Sequence, residues 1–345
     1  MRNIIATWIY LDSEEEQSHY YQTGKKSDTL SFQKIYWRCV ILFYETSLRY
    51  NTSFEHILFS NTNQFPIVDG LDVRQWFEQN NIQIVVLDNQ YVMPKGYYHS
   101  WQNQFYEFSI IEYMAKELDA SDMFMLLDSD CVFSKSVAPM FERKFPMAQT
   151  FVNMFPEYDE KISINGLSRK EMQSIIEELL HTRLSETPRY CGGEILFATG
   201  QFLQKVAGDF PMLYQWLLDR NKNGLPKFNE EAHTLTYFYY KYDCEIAALN
   251  DCIKQMWTNP HLFRNIDPAD NKIPILHLPA EKKRGFKMLY AFFLKNGGLR
   301  NIPENDYQTI LYRYLLDVKK YNRWTTKFII KLKIRINHLI TKFKK

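Results

Sequence analysis

The sequence lacks the cysteine patterns that mark metal knuckles and disulfide-stabilised domains. Its five cysteines are odd in number and widely scattered, and no C-x-x-C pair occurs; they are Cys39, Cys131, Cys191, Cys244 and Cys252. This spacing argues against a zinc knuckle and against a disulfide framework. Cys131 and Cys191 lie in apolar or tight surroundings, so we expect packed thiols and a reducing, cytosolic environment.

Long apolar runs are missing as well. The apolar stretch at residues 4–11 is short, contains Thr7, and continues directly into the acidic stretch at residues 12–16, which is unlike a secretory signal peptide. No run approaches the roughly 18 apolar residues that are needed to span a bilayer. We therefore expect a cytoplasmic protein without a membrane-spanning segment.

Acidic residues are absent from the last 23 residues, which are rich in basic ones. Residues 323–345 contain eight Lys or Arg and no acid, whereas residues 1–322 carry 34 basic and 40 acidic residues. The net charge of +2 therefore combines a mildly acidic body with a strongly basic tail. Such a body argues against nucleic-acid binding across its whole surface.

The basic tail has the pattern of an amphipathic helix. Its apolar residues recur at three- and four-residue spacing; they are Phe328, Leu332, Ile336, Leu339 and Phe343. Trp324 offers an interfacial anchor, and each Lys or Arg near an anionic leaflet contributes roughly 1 kcal/mol. We predict that residues 323–345 attach the protein peripherally to the inner face of the membrane. An RNA-binding tail and a helix docked on a partner subunit are the alternatives.

The body alternates strand-like and helix-like segments. The predicted strands are 4–11, 56–59, 82–87, 123–127, 148–155, 195–199 and 273–278, and the predicted helices are 32–50, 72–80, 106–118, 169–184, 201–218, 230–242 and 307–319. Ser168 with Glu171 predicts a capping box, and Glu107, Glu112 and Lys116 are predicted to face solvent. The alternation predicts an α/β fold with a mostly parallel sheet, right-handed crossovers and flanking helices.

One stretch of this body carries the strongest chemical signal. The apolar run 123–127 ends in Asp128-Ser129-Asp130, and apolar residues then resume. A strand buried on both faces would place the two carboxylates at the carboxyl end of the sheet, where open α/β sheets bind ligands. Two carboxylates this close repel each other unless a cation lies between them, and hard oxygen ligands suit Mg²⁺ or Mn²⁺. A metal–diphosphate site is the hypothesis, and a polar turn is the alternative.

The order of these segments resembles that of GT-A-fold glycosyltransferases. The carboxylate pair follows three strand–helix units and resembles the D-x-D element of that fold. Three later segments also resemble it: 190–194 on the acceptor side, 228–231 as the acidic segment that opens a helix, and 275–284 as a loop with a metal-binding histidine and phosphate-binding lysines. The resemblance covers roughly residues 1–290 and implies a GT-A-like catalytic domain there. We expect a helical extension at 291–322 between that domain and the membrane-associating helix at 323–345.

This resemblance implies a role for each candidate residue. Asp128, Asp130 and His277 would hold Mn²⁺ or Mg²⁺, although Asp128 could instead contact the sugar or the ribose. The residues that would bind the donor and its diphosphate are Tyr10, Trp101, Asn103, Asp128, Lys282, Lys283 and Arg284. The three basic side chains among them would neutralise the leaving nucleoside diphosphate.

Other candidates concern the acceptor and the proton transfer. Gly192 and Gly193 would let a sugar approach the backbone, and Glu194 would accept hydroxyl hydrogen bonds. Glu230 and Glu231 are the candidate catalytic residues, as a general base that deprotonates the acceptor hydroxyl. First-turn helix acids that interact with the helix dipole are the alternative.

The sequence thus predicts a metal-dependent glycosyltransferase that moves a sugar from a nucleotide-sugar donor to a glycan or lipid-linked acceptor, as in polysaccharide assembly. Asp128-Ser129-Asp130-Cys131-Val132 also fits the D-x-D-x-[TV] motif of haloacid-dehalogenase-like phosphatases. Those phosphatases usually carry the motif near the N-terminus and have a second, acidic metal-binding segment later in the chain. In this sequence the motif follows three strand units, and Gly208-Asp209 is not followed by the second acid that such a segment needs. A catalytically inactive membrane-surface binding protein is the third reading. The sequence leaves open the donor sugar, the acceptor and the stereochemical outcome, which is retaining or inverting.

Overall fold

A computed structural model of the chain describes residues 1–13, 27–99, 102–143, 147–149 and 160–318, with the backbone alone at residues 102 and 147–149. The strands are β1 (Asn3–Ile9), β2 (Glu55–Ser60), β3 (Ile67–Val68), β4 (Leu71–Asp72), β5 (Gln83–Val86), β6 (Met123–Leu127), β7 (Cys131–Phe133), β8 (Met147–Gln149), β9 (Ser163–Ile164), β10 (Leu167–Ser168), β11 (Ile195–Thr199), β12 (Glu245–Ile246), β13 (Ile253–Gln255), β14 (Thr258–Asn259), β15 (Phe263–Arg264) and β16 (Ile275–His277).

The helices are α1 (Leu30–Tyr50), α2 (Val73–Gln79), α3 (Tyr106–Glu117), α4 (Ala138–Phe141), α5 (Arg169–Leu180), α6 (Gly200–Lys222), α7 (Glu231–Lys241), α8 (Gly285–Asn296) and α9 (Glu304–Leu311). Short 3₁₀ segments lie at Gln102–Phe105, Pro268–Lys272 and Pro279–Glu281, and a π-helical turn at Tyr312–Leu316 follows α9. Among the described residues, none of these helices combines the length and the apolar character that crossing a membrane requires.

A seven-stranded mixed sheet organises the chain. Its order is β12-β8-β11-β6-β1-β2-β5, in which β6, β1, β2 and β5 are mutually parallel and β11 runs antiparallel to β6 and β8. Three β-α-β units deliver the chain to β6, which is buried along its whole length as a central strand must be. The predicted fold class, a mostly parallel sheet flanked by helices, is confirmed.

Side chains of β6 alternate between two apolar cores, one on each face of the sheet. Met123, Met125 and Leu127 join the core beneath α1, α8 and α9, while Phe124 and Leu126 join the core beneath α3 and α6. The C-terminal helices belong to the first core, and the Tyr307 hydroxyl donates to the Phe133 carbonyl oxygen at 2.6 Å. A smaller sheet, β13-β16-β7, lies beyond the end of β6.

Local signals explain several helix ends, and they correct two predictions. The Ser168–Glu171 capping box at the start of α5 is confirmed. The helix predicted to run to residue 184 ends at Leu180, because His181 adopts a left-handed backbone with φ 52°. The helix predicted at 307–319 begins earlier, at Glu304 directly after Pro303, where acids occupy its first turn.

Some predicted features lie wholly or partly outside the described residues. These are Trp101, the basic tail 323–345, the end of the helix predicted at 307–319, and residues 150–155 of the strand predicted at 148–155. The division of the chain at residue 290 stays a prediction.

Candidate active site

The carboxylate pair lies in the tight turn between β6 and β7. The Cys131 N–H donates to the Asp128 carbonyl oxygen at 3.1 Å, which closes the turn. The Asp128 N–H donates at 3.1 Å to the Glu194 carbonyl oxygen, just before β11. Asp130 is almost completely buried, with 1% of its surface exposed, whereas the Asp128 side chain is 28% exposed. Asp128 therefore faces the open end of the site, and Asp130 forms its floor.

Strand pairing brings His277 to these carboxylates from 147 residues further along the chain. Strand β16 runs antiparallel to β7 with His277 opposite Cys131, and the Leu278 N–H donates to the Asp130 carbonyl oxygen at 3.0 Å. The His277 Nε2 lies 3.3 Å from an Asp128 oxygen and 3.5 Å from an Asp130 oxygen. One ligand atom from each of the three residues lies within 4.8 Å of the other two. The structure therefore brings together the three metal ligands that were predicted from the sequence.

Lys282 completes this cluster. Its Nζ lies 3.1 Å from the Asp130 Oδ2 and 5.2 Å from the centre of the Tyr36 ring. The backbone around it is fixed by Glu281, a fully buried carboxylate that accepts the Gly285 N–H at 3.1 Å and the Thr258 hydroxyl. The cluster therefore pairs two carboxylates with a lysine and a histidine.

Electrostatics in the cluster follow from burial and pairing. Burial would raise the pKa of Asp130, but the positive charges of Lys282 and His277 hold it below its usual range. Burial would likewise lower the pKa of His277, but Asp130 and Asp128 raise it to about 10. The pKa of Lys282 is raised despite its burial, chiefly by Asp130. The positive and negative charges of these four side chains therefore offset one another.

A pocket with a cavity volume of about 70 Å³ begins at these residues. It is lined by Trp8, Ile9, Tyr10, Leu11, Asp12, Ser27, Phe32, Gln33, Tyr36, Gln104, Asp128, Ser129, Asp130 and Lys282. Tyr10 is thus in the wall as predicted. Asn103 is buried behind the wall, where its amide nitrogen donates to the Asp12 carboxylate at 2.7 Å. The lining therefore combines aromatic rings with aspartates and a lysine.

The two other predicted cations of the 275–284 loop lie elsewhere. Lys283 is exposed, and Arg284 is half-buried where α8 begins. Neither lines the pocket that Lys282 lines. Of these three cations, the structure brings Lys282 to the carboxylates.

Glu230 and Glu231 are both buried where α7 begins. The Tyr190 hydroxyl and the Asn165 amide nitrogen each donate to Glu230 at 2.5 Å, one to each carboxylate oxygen. Burial and the nearby charges of Glu230, Glu107 and Asp128 raise the pKa of Glu231 well above its ordinary value. Among the described residues, the Glu231 Oε2 has no hydrogen-bond partner. Glu230 is therefore held in place by neighbouring donors, whereas Glu231 keeps one polar atom available to a ligand.

The glycine pair lies against these acids. A Cβ on Gly193 would come within 2.5 Å of a Glu231 carboxylate oxygen, and one on Gly192 would collide with the carboxylate of Glu194. Both glycines are thus required for the close approach of the backbone to the two acids. Glu194 is itself buried, and its carbonyl oxygen holds the Asp128 backbone. The predicted acceptor-side segment therefore lies between the carboxylate turn and α7.

The prediction that Glu107 faces solvent is wrong. Glu107 is only 2% exposed, and its side chain forms a hydrogen bond with the Trp8 side chain. It is also close enough to Asp128 and Glu231 for the charges of these carboxylates to interact. Burial raises its pKa well above the ordinary value, with the charge of Asp128 adding to the effect. All residues from Phe105 to Ile111 are buried, so the amphipathic pattern fails in the first turns of α3. The sequence feature that could have indicated this burial is the position of Glu107 within a largely apolar run.

Comparisons with known proteins give structural matches only. No protein-family model matches the chain, and neither does any curated protein. Among solved structures, the chain is similar to the galactosyltransferase LgtC in complex with donor and acceptor sugar analogs, at 11% identity and a TM-score of 0.48, over 89% of this chain and 100% of that one. It is also similar to an active-site mutant of LgtC, at 10% identity and a TM-score of 0.47, over 79% of this chain and 86% of that one.

Proposed function

We propose that the chain is a glycosyltransferase that uses a nucleotide-sugar donor and a divalent metal ion. The observation that carries this proposal is the convergence of Asp128, Asp130 and His277, with ligand atoms within 4.8 Å of one another, beside a pocket lined by Lys282. A nucleotide sugar combines the groups that such a pocket would bind: a flat base, a diphosphate and a polar sugar.

The donor set fits Mn²⁺ or Mg²⁺. The Asp130 Oδ1 is buried and, among the described residues, has no hydrogen-bond partner, which is costly unless a ligand satisfies it. Carboxylate oxygens suit both ions, and an imidazole nitrogen favours a transition metal such as Mn²⁺. When bound, the ion would neutralise charge that develops on the leaving diphosphate. Asp128, Asp130 and His277 would hold it.

Other residues of the chain would bind the donor, position the sugar or the acceptor, and accept the proton. Lys282 would bind a phosphate oxygen, and Tyr10 and Asn103 would shape the wall for the nucleoside, with Lys283 and Arg284 adding positive potential nearby. Gly192, Gly193 and Glu194 would position the sugar or the acceptor next to Asp128. Glu230, held by Tyr190 and Asn165, is the better candidate for a base, since burial and the neighbouring carboxylates raise the pKa of Glu231 and disfavour its charged form.

Donor hydrolysis tests this function without knowledge of the acceptor. Transferases release sugar slowly to water, so the chain with Mn²⁺ should hydrolyse at least one member of a panel of nucleotide sugars. We expect loss of that activity on removal of the metal and in Asp130→Asn. The matched control is Asp219→Asn, an exposed acid at the end of α6, which should keep the wild-type rate. Absence of hydrolysis with every donor, with and without candidate glycan acceptors, would contradict the proposal.

The same preparation separates the other two functions. Turnover of simple phosphomonoesters would favour a haloacid-dehalogenase-like phosphatase. Binding of neither Mn²⁺ nor nucleotide sugars would favour an inactive binding protein.

We further propose that residues 323–345 hold the enzyme on the inner face of the membrane, near a lipid-linked or surface-glycan acceptor. The proposal is supported by the eight basic residues and the helical spacing of apolar residues in that segment. Full-length protein should float with anionic liposomes, and protein lacking residues 323–345 should not. Circular dichroism would check that the truncated chain is folded. Unchanged flotation after truncation would contradict the idea.

A further inference from the structure

Lys282 places a cation at the carboxylate that a metal would need. Lys282 Nζ lies 3.1 Å from the Asp130 Oδ2, and His277 Nε2 lies 3.5 Å from the same oxygen. Asp130 is 1% exposed and the Lys282 side chain is 12% exposed, so water screens this ion pair poorly. The lysine therefore neutralises the most deeply buried carboxylate of the site.

The backbone that carries Lys282 has little room to move. Glu281 is fully buried and accepts the Gly285 N–H and the Thr258 hydroxyl, which anchors the residues on both sides of Lys282. A Cβ on Gly285 would come within 2.6 Å of a Glu281 oxygen and 2.9 Å of the Tyr314 carbonyl oxygen, so α8 packs tightly where it begins. The side chain is different, because a lysine ends in an ammonium group on a flexible four-carbon stem.

We propose that Lys282 is the resident counter-cation of Asp130 and competes with the divalent metal ion for that carboxylate. The inference rests on the metal site proposed above. An ammonium group at 3.1 Å and a divalent ion on the same carboxylate would repel each other strongly in this buried environment. The ammonium group must therefore leave Asp130 when the metal binds. The pocket that Lys282 lines gives it another anionic partner once a diphosphate is present.

Competition of this kind has a measurable signature in the absence of any nucleotide. Lys282→Met removes the charge and keeps the length of the side chain, so Mn²⁺ alone should bind this variant about tenfold more tightly than the wild type, or better. Lys287→Met is the matched control, because it removes the same charge from an exposed position in α8 that has no assigned role at the site. Its Mn²⁺ affinity should stay within about twofold of the wild type. Lys282→Arg keeps the charge and should not bind Mn²⁺ more tightly than the wild type.

Electron paramagnetic resonance of free Mn²⁺ gives these dissociation constants directly. Equal affinity in wild type and Lys282→Met, with binding lost in Asp130→Asn, would overturn the competition and leave the metal site standing. Absence of Mn²⁺ binding in every variant, wild type included, would overturn the metal site and this inference with it.

Stability gives a second measurement in case Lys282→Met unfolds without metal. Removing the lysine leaves a buried carboxylate with one cationic partner fewer, so the metal-free variant should melt at a lower temperature than the wild type. Mn²⁺ should then raise its melting temperature more than it raises that of the wild type, since binding to the folded state alone stabilises it. A variant that Mn²⁺ does not stabilise or refold would overturn the inference.

Discussion

Asp128→Asn and Asp130→Asn should have different effects on stability, although both should impair metal binding. Both substitutions keep the shape of the side chain and remove one negative charge. Asp130 is buried and contacts two cations, Lys282 at 3.1 Å and His277 at 3.5 Å. Asp128 is 28% exposed, and of the two cations it contacts only His277, at 3.3 Å. The difference in burial and in partners sets the expected energies.

Loss of one partner from a buried ion pair typically costs about 3–5 kcal/mol, because the remaining charge is left uncompensated. We therefore expect Asp130→Asn to lower the free energy of unfolding of the metal-free protein by about 3 kcal/mol or more. Asp128→Asn should cost about 1 kcal/mol, since water reaches the Asp128 side chain and Asp130 still pairs with the buried His277. Mn²⁺ at a hundredfold excess over its dissociation constant should stabilise the wild type by about 2.7 kcal/mol, and it should stabilise Asp130→Asn much less.

Urea unfolding with and without Mn²⁺ measures all of these quantities. The matched control is Asp219→Asn, whose exposed side chain should leave the unfolding free energy and its Mn²⁺ dependence within about 0.5 kcal/mol of the wild type. Equal destabilisation by the two site substitutions would refute the distinction between a buried and an exposed carboxylate. Full stabilisation of Asp130→Asn by Mn²⁺ would refute the assignment of Asp130 as a metal ligand.

Three further predictions concern residues around the site and in the core. Burial lowers the pKa of His56 to about 4, so the folded state disfavours its charged form; stability should be constant above about pH 6.5 and fall by about 3 kcal/mol as the pH drops toward 4. His56→Gln should remove that slope in unfolding titrations at several pH values, and an unchanged slope would contradict the assignment. Gly193→Ala should displace Glu231, whose oxygen lies 2.5 Å from the new Cβ, and slow donor hydrolysis at least about tenfold; Gly208→Ala, on an exposed helical site with no atom within 4 Å, should not slow it. Glu107→Gln should keep donor hydrolysis within a few-fold, because burial raises the pKa of Glu107 and disfavours its charged form, which the amide lacks; a larger loss would mean that it acts as a carboxylate.

Short-range patterns were sufficient to predict most of the elements in the first half of the chain. The apolar run 123–127 is strand β6 with the predicted bounds, because a strand buried on both faces needs an uninterrupted apolar sequence. The Ser168–Glu171 pair is a capping box, because its two hydrogen bonds join residues three apart. Both features depend on neighbours in the sequence, and a single sequence contains that information.

Features that depend on tertiary packing were predicted less well. Glu107 is buried although the 3.6-residue period placed it on the outer face, since the first turns of α3 are covered on all sides. Tyr36 was assigned no role, and its ring lies 5.2 Å from the Lys282 ammonium group in the wall of the pocket. Lys282 and Lys283 are equivalent in the sequence, and the short 3₁₀ turn at Pro279–Glu281 decides which of the two reaches Asp130.

The metal site itself depends on one long-range strand pairing. His277 reaches the carboxylates because β16 pairs antiparallel with β7 in a register that sets it opposite Cys131, immediately after Asp130. A slip of one residue would turn the His277 side chain to the opposite face of this small sheet, since successive side chains of a strand alternate between faces. Residues of the apolar core, Val132 and Phe133 in β7 and Ile275 and Leu276 in β16, fix that register. Substitutions at these four positions should therefore weaken Mn²⁺ binding without touching a ligand, to the extent that they loosen the pairing.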